Sequence, residues 1–185
     1  MNYLKSFILL ALFATFLTAC SNDDDGGPTV VIEEEVITTV RVTLSPPGDG
    51  ADVVFLSRDA DADGPNPPVV EVMGNLIAGT TYTGEVEFLN ETVSPAEDVT
   101  EEVEERDEEH QVFFTPGGGL DVTTSYSNFD GNDNPLGTEF ALTAGLSSTG
   151  TFTLTLIHEP IKPNNGLGDV GGEIDVITTF DVVVE

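Results

Sequence analysis

The sequence predicts an all-β protein, an antiparallel Ig-like or fibronectin-like β-sandwich with one short acidic surface helix. Three observations support this class. Apolar and polar residues alternate with period two along most of the chain after Val36, as they do in strands with one buried face. The alternating segments are short, rich in Val and Thr, and separated by Gly, Pro, Asn and Asp, which is typical of a sandwich. One segment alone, residues 95–109, has helical spacing.

The first predicted strand runs from Val36 to Leu44, where a mostly apolar row that includes Thr38 alternates with the other face, and Pro46 and Pro47 end it. In a later strand Phe152, Leu154 and Leu156 share one face, which we expect to be buried. The same alternation predicts further strands over residues 51–56, 69–73, 81–89, 111–115, 120–126, 138–144, 151–158 and 174–184.

The helical segment begins with Ser94-Pro95-Ala96-Glu97, which has the form of a capping box with proline at the first helical position. Val99 and Val103 form the apolar pair of a helix lying on a surface. We therefore predict a helix over residues 95–109. Two glutamates at its C-terminal end oppose the helix dipole, which indicates either a nearby cation or fraying.

Residues 1–19 have the pattern of a lipoprotein signal peptide. Lys5 precedes an apolar run from Phe7 to Phe16, and Thr18-Ala19 supply small residues before Cys20, the only cysteine of the chain. The apolar run is too short to span a bilayer. In bacterial lipoproteins such a cysteine carries the acyl chains, so the resemblance implies lipidation at Cys20 and membrane contact through the lipid.

The residues after Cys20 predict where the protein is displayed. Ser21 to Asp25 resembles the acidic export tag of Bacteroidota lipoproteins that reach the outer face of the outer membrane. A polar, flexible tether is the alternative interpretation. In both cases residues 20–32 are a lipidated acidic tether, and residues 33–185 form a single β-sandwich domain.

The charge of the chain restricts its partners. It has 34 acidic and 5 basic residues, a formal net charge of −29. Such a chain is repelled by nucleic acids and by anionic head groups, so we expect no nucleic-acid partner. Its self-repulsion favours either bound divalent cations or saline surroundings that screen the charges.

One loop has the spacing of a calcium site. Asp59, Asp61 and Asp63 occupy positions 1, 3 and 5 of a turn with Gly64 at position 6, an arrangement that suits Ca²⁺. An EF-hand is excluded, because position 12 is Val70 and prolines follow the loop. The sequence therefore predicts a calcium loop between two strands, with a solvated Asx-rich turn as the alternative.

A second loop offers a weaker calcium site. Asn128, Asp130 and Asn132 place oxygen ligands at alternating positions, and a register shifted to Asp130, Asn132 and Asn134 fits equally well. Fewer carboxylates give weaker binding. The alternative is a turn built from residues that tolerate left-handed backbone.

The only two histidines are His110 and His158, beside Glu109 and Glu159. They could bind zinc or act as acid and base, but HExxH spacing and a third histidine are lacking. We therefore predict that they cap a helix and a strand. Motifs of serine hydrolases, phosphate loops and dinucleotide sites are absent from the sequence, and so is tryptophan.

Two resemblances add to this interpretation. Asn75 to Val86 resembles the part of fibronectin type III domains in which a leucine, a turn and a tyrosine precede a core strand. The resemblance implies that Tyr82 packs inward with its hydroxyl on a backbone group. The runs EVEFLNE, SPAEDVTEEVEE, DEEHQVFF and LIHEPIKP are similar to small Bacteroidota outer-membrane lipoproteins, often auto-named type 1 periplasmic-binding-fold superfamily proteins. That name implies two α/β lobes, whereas this pattern has no βαβ units.

The leading hypothesis is a surface-exposed, non-enzymatic outer-membrane lipoprotein with a structural, adhesive or binding role, in which bound calcium is a candidate stabiliser. Its protein or glycan partner is not identified by any motif. The alternatives are an accessory ligand-binding lipoprotein of an uptake system and a hydrolase that uses a pair of carboxylates.

Overall fold

Two antiparallel β-sheets enclose one hydrophobic core in the computed structural model, which describes residues 35–62 and 64–185. The predicted all-β sandwich class is confirmed. The predicted signal peptide, Cys20, the tether up to residue 32 and Asp63 lie outside the described residues. The strands are β1 (Thr39–Ser45), β2 (Val53–Arg58), β3 (Val69–Met73), β4 (Thr81–Asn90), β5 (Glu97–Asp98), β6 (His110–Gly117), β7 (Val122–Tyr126), β8 (Glu139–Ala144), β9 (Ser148–His158) and β10 (Glu173–Val184).

The two sheets differ in size. The larger sheet has seven strands in the order β3-β2-β1-β4-β8-β7, with β5 paired to β4. The smaller sheet has the order β10-β9-β6. In the described part of the chain, no helix is long and apolar enough to cross a bilayer.

The core lies between the sheets and follows the predicted alternation. Val40, Val42 and Leu44 of β1 are buried, and so are alternate residues of β9. Aromatic rings join the two layers: the Phe55 ring centroid lies 5.9 Å from that of Phe152, and Phe114 of the small sheet stacks on a ring of β8. Burying each such ring contributes about 1.5–3 kcal/mol.

Tyr82 of β4 fixes a corner of the larger sheet. Its side chain is buried, and its hydroxyl accepts a hydrogen bond from the backbone N–H of Ile77 at 2.8 Å. Leu76, next to that group, is also buried and bridges to Val184 of β10. The tyrosine thus ties the start of β4 to the loop before it.

The helix is shorter than the sequence predicted. Helix α1 spans Val99–Glu105, and a 3₁₀ turn over Asp107–Glu109 follows it. The predicted start at residue 95 was wrong, because Glu97 and Asp98 pair with β4 as strand β5 and so have extended backbone. Asp98 is the N-cap instead, and its carboxylate accepts a hydrogen bond from the Thr100 N–H at 3.0 Å. The predicted burial of the two helical valines is confirmed.

Candidate metal centre

Four side chains with metal-ligating atoms meet at one end of the smaller sheet: Glu35, His110, His158 and Asp175, here called the tetrad. One ligand atom from each lies within 4.8 Å of the other three. All four side chains are at most 5% exposed. The tetrad therefore combines two imidazoles and two carboxylates in a site that water barely reaches.

The two histidines are the last core-facing positions of neighbouring strands. His110 begins β6 and His158 ends β9, and the two are paired directly across the ladder, with ring centroids 4.9 Å apart. By the period of two, His110 lies on the same face as Val112, and His158 on the same face as Leu156. The alternation that builds the core therefore also turns both imidazoles inward.

A β-bulge brings Asp175 into the tetrad. The register of β9 and β10 shifts so that Ile174 pairs with Ile157 while Val176 pairs with Leu156, which makes Asp175 the extra residue on its strand. Its Oδ1 lies 3.7 Å from His158 Nδ1, and its Oδ2 lies 4.0 Å from His110 Nε2. Bulges commonly redirect a side chain in this way.

Glu35 reaches the tetrad from the segment just before β1 of the larger sheet. Its Oε1 lies 3.3 Å from His110 Nε2, and its Oε2 lies 3.5 Å from His158 Nδ1. Arg106, after helix α1, donates a hydrogen bond from Nη1 to Glu35 Oε1 at 2.9 Å. The tetrad therefore joins both sheets and the end of the helix.

The spacing of the ligand atoms suits a tetrahedral metal. Zinc binds nitrogen and oxygen ligands at about 2.0–2.1 Å, which places neighbouring ligand atoms about 3.3–3.4 Å apart. The nitrogen-to-oxygen distances here run from 3.3 to 4.0 Å when both oxygens of each carboxylate are counted, and one ligand atom from each side chain lies within 4.8 Å of the other three. The four side chains would have to draw closer together to form a tetrahedral shell.

The protonation of His110 favours a cation. Its Nδ1 donates to the carbonyl of Arg106 at 3.1 Å, which leaves Nε2 with a lone pair when the ring is neutral. Burial lowers the pKa of His110, although the Arg106 carbonyl and the charge of Glu35 act in the opposite direction. At neutral pH a nitrogen lone pair therefore faces a carboxylate oxygen, an arrangement that repels unless a cation lies between them.

Two buried atoms of the tetrad have no hydrogen-bond partner in the described part of the chain. They are His110 Nε2 and Glu35 Oε2. A buried acceptor without a partner costs about 1–3 kcal/mol, and more when it is charged. A metal ion among the four side chains would satisfy both atoms at once.

His158 has a different second contact. Its Nε2 lies 3.5 Å from Arg106 Nη2, and because a guanidinium only donates, Nε2 accepts in this arrangement. A metal on Nδ1 would move the ring proton to Nε2 and require Arg106 to turn away. Glu109 also contacts the guanidinium, because its Oε2 lies 2.6 Å from Arg106 Nη2.

An acidic depression leads to the tetrad. It has a volume of about 340 Å³, and its lining includes Glu35, Asp59, Glu173 and Asp175. Four carboxylates around one concavity produce a negative potential that concentrates cations. The depression therefore supplies an access route for a metal.

The predicted calcium loop lies beside this depression. Asp59 lines it, whereas Asp61 lines a different concavity together with Arg58 and Asn66. Asp61 Oδ2 accepts from the Asn66 amide at 2.6 Å, and this hydrogen bond is the main cause of the lowered pKa of Asp61. Because Asp63 is outside the described residues, calcium binding by Asp59, Asp61 and Asp63 stays a prediction.

In the second predicted calcium loop, a lysine contacts the central carboxylate. Asp130 Oδ2 lies 3.1 Å from Lys162 Nζ, and both side chains are buried, at 0% and 6% exposure. Asp130 also accepts hydrogen bonds from the backbone N–H groups of Asn132 and Asn134 at 2.9 and 2.8 Å. The Asn128 amide is used within the protein as well, donating to Thr138. Calcium there stays a prediction, and Lys162 supplies positive charge to the loop.

Sequence reasoning did not single out Glu35 or Asp175. It considered the histidines, but the expectation that they only cap secondary structure misses their inward-facing nitrogens, even though His110 does contact the end of α1. One signal was readable: both histidines have the strand parity of core residues. Two imidazoles on buried faces need hydrogen-bond or metal partners inside the protein.

Comparison with known proteins adds no relative from which a function could be taken. No protein-family model matches the chain, and neither does a curated protein or a solved structure. The site is therefore interpreted from its own geometry.

Proposed function

We propose that this chain is a surface-exposed, lipid-anchored outer-membrane protein without enzymatic activity, whose sandwich binds a divalent transition metal, zinc in the first place, at the tetrad. The observation that carries the proposal is the buried convergence of two imidazoles and two carboxylates, with nitrogen-to-oxygen distances of 3.3–4.0 Å. The metal stabilises the fold, and the role of the protein is structural or adhesive.

The ligand types favour zinc over calcium at this position. Imidazole nitrogen suits zinc, copper, iron and nickel, whereas calcium takes six to eight oxygen ligands. Two of the four ligand atoms in the tetrad are histidine nitrogens. Calcium remains the proposed ligand of the aspartate loop at Asp59, Asp61 and Asp63, where the side chains offer oxygen only.

The number of ligands favours a structural role. Catalytic zinc sites keep one coordination position for water or substrate, while structural sites are closed by four protein ligands. The tetrad supplies four, and all are buried. This geometry supports the non-enzymatic proposal over a carboxylate-based hydrolase.

The envelope location is supported by sequence alone. The export pattern of residues 1–19, Cys20 and the acidic residues after it resemble surface lipoproteins of Bacteroidota. A closed metal site is an effective stabiliser for an exported domain without disulfides, and Cys20 is the only cysteine.

Metal binding is tested on the full chain purified in detergent and stripped of metal. Zinc should bind with a stoichiometry of one, raise the unfolding midpoint, and increase the free energy of unfolding by about 2.7 kcal/mol at 100 times Kd. Asp175→Asn should remove this gain, while Glu173→Gln, an acid of the same depression outside the tetrad, should keep it. Absence of stoichiometric zinc in the wild type would contradict the proposal.

The same titration separates the calcium loop from the tetrad. A calcium-specific rise in the midpoint that persists in Asp175→Asn and disappears in Asp61→Ala would support the aspartate loop. A calcium effect that is equal in wild type and Asp61→Ala would contradict it.

A second candidate function, ligand binding for an uptake system, is favoured by one cavity. It measures about 510 Å³ and lies beside β2 and β3, with Leu56, Pro67 and Val69 as apolar lining and Arg58 and Glu71 as polar lining. This size and mixture suit a small ligand. A thermal-shift screen of small amphipathic compounds tests this function: a hit that stabilises the wild type but not Val69→Asp supports it, and the absence of any such hit counts against it.

A further inference from the structure

We infer that the metal at the tetrad fastens the sandwich end of the membrane tether to the smaller sheet, so that metal occupancy decides whether this end is held or released. The inference rests on the metal site proposed above. It concerns what the site controls rather than whether it binds.

The origin of the ligands is asymmetric. His110, His158 and Asp175 belong to β6, β9 and β10, the three strands of the smaller sheet. Glu35 alone comes from elsewhere, since it precedes β1 of the larger sheet and follows the predicted tether at residues 20–32. A metal bound by all four therefore cross-links the segment before β1 to the opposite layer.

Among the described residues of this segment, backbone pairing to the larger sheet begins at Thr38. The Thr38 N–H donates to the carbonyl of Leu89 at 2.9 Å, and the Thr38 hydroxyl accepts from the N–H of Glu91 at 2.8 Å. Ile37 packs against the core, whereas Val36 is exposed. Glu35 is thus held mainly through its carboxylate.

The protein's own hold on that carboxylate comes from a shared group. Arg106 donates to it, but the guanidinium is 37% exposed and also pairs with Glu102 and Glu109. Its positive charge is therefore divided among three carboxylates. A metal bound by the tetrad would tie the same carboxylate to the three strands of the smaller sheet.

Removal of the metal should therefore free the segment before Thr38 without unfolding the sheets, because the ladders of β1 with β2 and β4 do not involve Glu35. Metal concentration then sets whether residues 35–37 are held against the smaller sheet.

Hydrogen exchange read by mass spectrometry tests this on the full chain in detergent micelles, with zinc or with chelator. We expect exchange in peptides covering residues 35–38 to be at least about tenfold slower with zinc, while peptides from β1 and β4 change less. Glu35→Gln should exchange rapidly in both conditions while retaining weakened zinc binding through its three remaining ligands. Glu173→Gln should behave as the wild type.

The outcomes separate this inference from the proposed function. If the wild type binds no zinc, the metal site itself fails. If zinc binds with a stoichiometry of one and raises the midpoint, yet exchange at residues 35–38 is unchanged, the site stands and the fastening role is overturned. Zinc affinity in Glu35→Gln equal to that of the wild type would also overturn it, since Glu35 would then not be a ligand.

Discussion

Asp130 and Glu35 are both buried carboxylates near the start of β6, yet their surroundings differ. Asp130 contacts Lys162 and two backbone N–H groups. Glu35 contacts a shared arginine and two imidazoles that are neutral when metal-binding. One carboxylate is neutralised inside the fold, whereas the other lies in an arrangement that the proposed metal would complete. Burial of a carboxylate alone therefore does not predict a metal site. The hydrogen-bond donors and positive charges that surround the carboxylate must be counted as well.

His110 belongs to both regions. Its backbone carbonyl accepts a hydrogen bond from Lys162 Nζ at 2.6 Å, and its imidazole lies in the tetrad. The end of helix α1 also contacts both regions, because Arg106 donates a hydrogen bond to Glu35 while the carbonyl of Asp107 accepts one from Lys162. Mutations in the two regions should therefore distinguish a carboxylate that is neutralised by Lys162 from one that is neutralised by a metal.

The largest effect is expected for Lys162→Met. This change leaves Asp130 buried without its ion-pair partner, and breaking a buried pair costs about 3–5 kcal/mol. Denaturant unfolding should show the same loss with zinc and with chelator. The double variant with Asp130→Asn should recover part of the loss, and a double variant as unstable as the sum of the single variants would contradict the coupling.

A smaller and conditional effect is expected for His158→Ala. With zinc at 100 times Kd the variant should lack the gain of about 2.7 kcal/mol that the wild type obtains. With chelator, the gap between variant and wild type should shrink by that amount. A gap that is independent of zinc in thermal unfolding would place His158 among ordinary core residues.

The pH dependence of Asp130 should be modest and lie on the acid side. Burial acts to raise its pKa, but hydrogen bonds from the Asn134 backbone and Lys162 outweigh burial and lower it. A lowered folded pKa stabilises above the unfolded value, about 3.9, and that contribution is lost as pH falls through the folded pKa. The stability difference between wild type and Asp130→Asn should therefore be constant from pH 7 to 5 and shrink below pH 4.

The smallest effect is expected at the helix that connects the two regions. Asp98→Ala removes the N-cap and should cost about 1 kcal/mol, with or without zinc. Ser94→Ala should change the free energy of unfolding by far less, because Ser94 does not cap α1. Equal losses of free energy in the two variants would instead support the helix start that the sequence predicted.

The strands could be predicted from the sequence because alternation is a local pattern, and burial of the apolar face in the core stabilises it. The valines of β1 and the apolar row of β9 needed no knowledge of their neighbours. The helix start was predicted wrongly, since the Ser94 capping box competes with pairing of Glu97 to Asn90, which is seen only when β4 is in place.

The tetrad could be predicted only in part. The parity of His110 and His158 was visible, but their adjacency depends on the register of β6 with β9. Asp175 has the wrong parity for a core residue until the bulge shifts it, and Glu35 lies before any alternation begins. Lys162 is likewise 32 positions from Asp130, and loop chemistry alone does not reveal such a contact.

The bulge in β10 makes the centre sensitive to the length of a single strand. In a regular ladder the neighbour of an inward residue such as Val176 faces solvent, so loss of the extra residue, Asp175, would put Ile174 in that outward position and leave no acid from β10 at the tetrad, while every other apolar row kept its place. A one-codon deletion would therefore remove the proposed fourth ligand while the two sheets keep their pairing, and a one-codon insertion would be enough to create it. Across evolution, such a site can be acquired or discarded without rebuilding the scaffold.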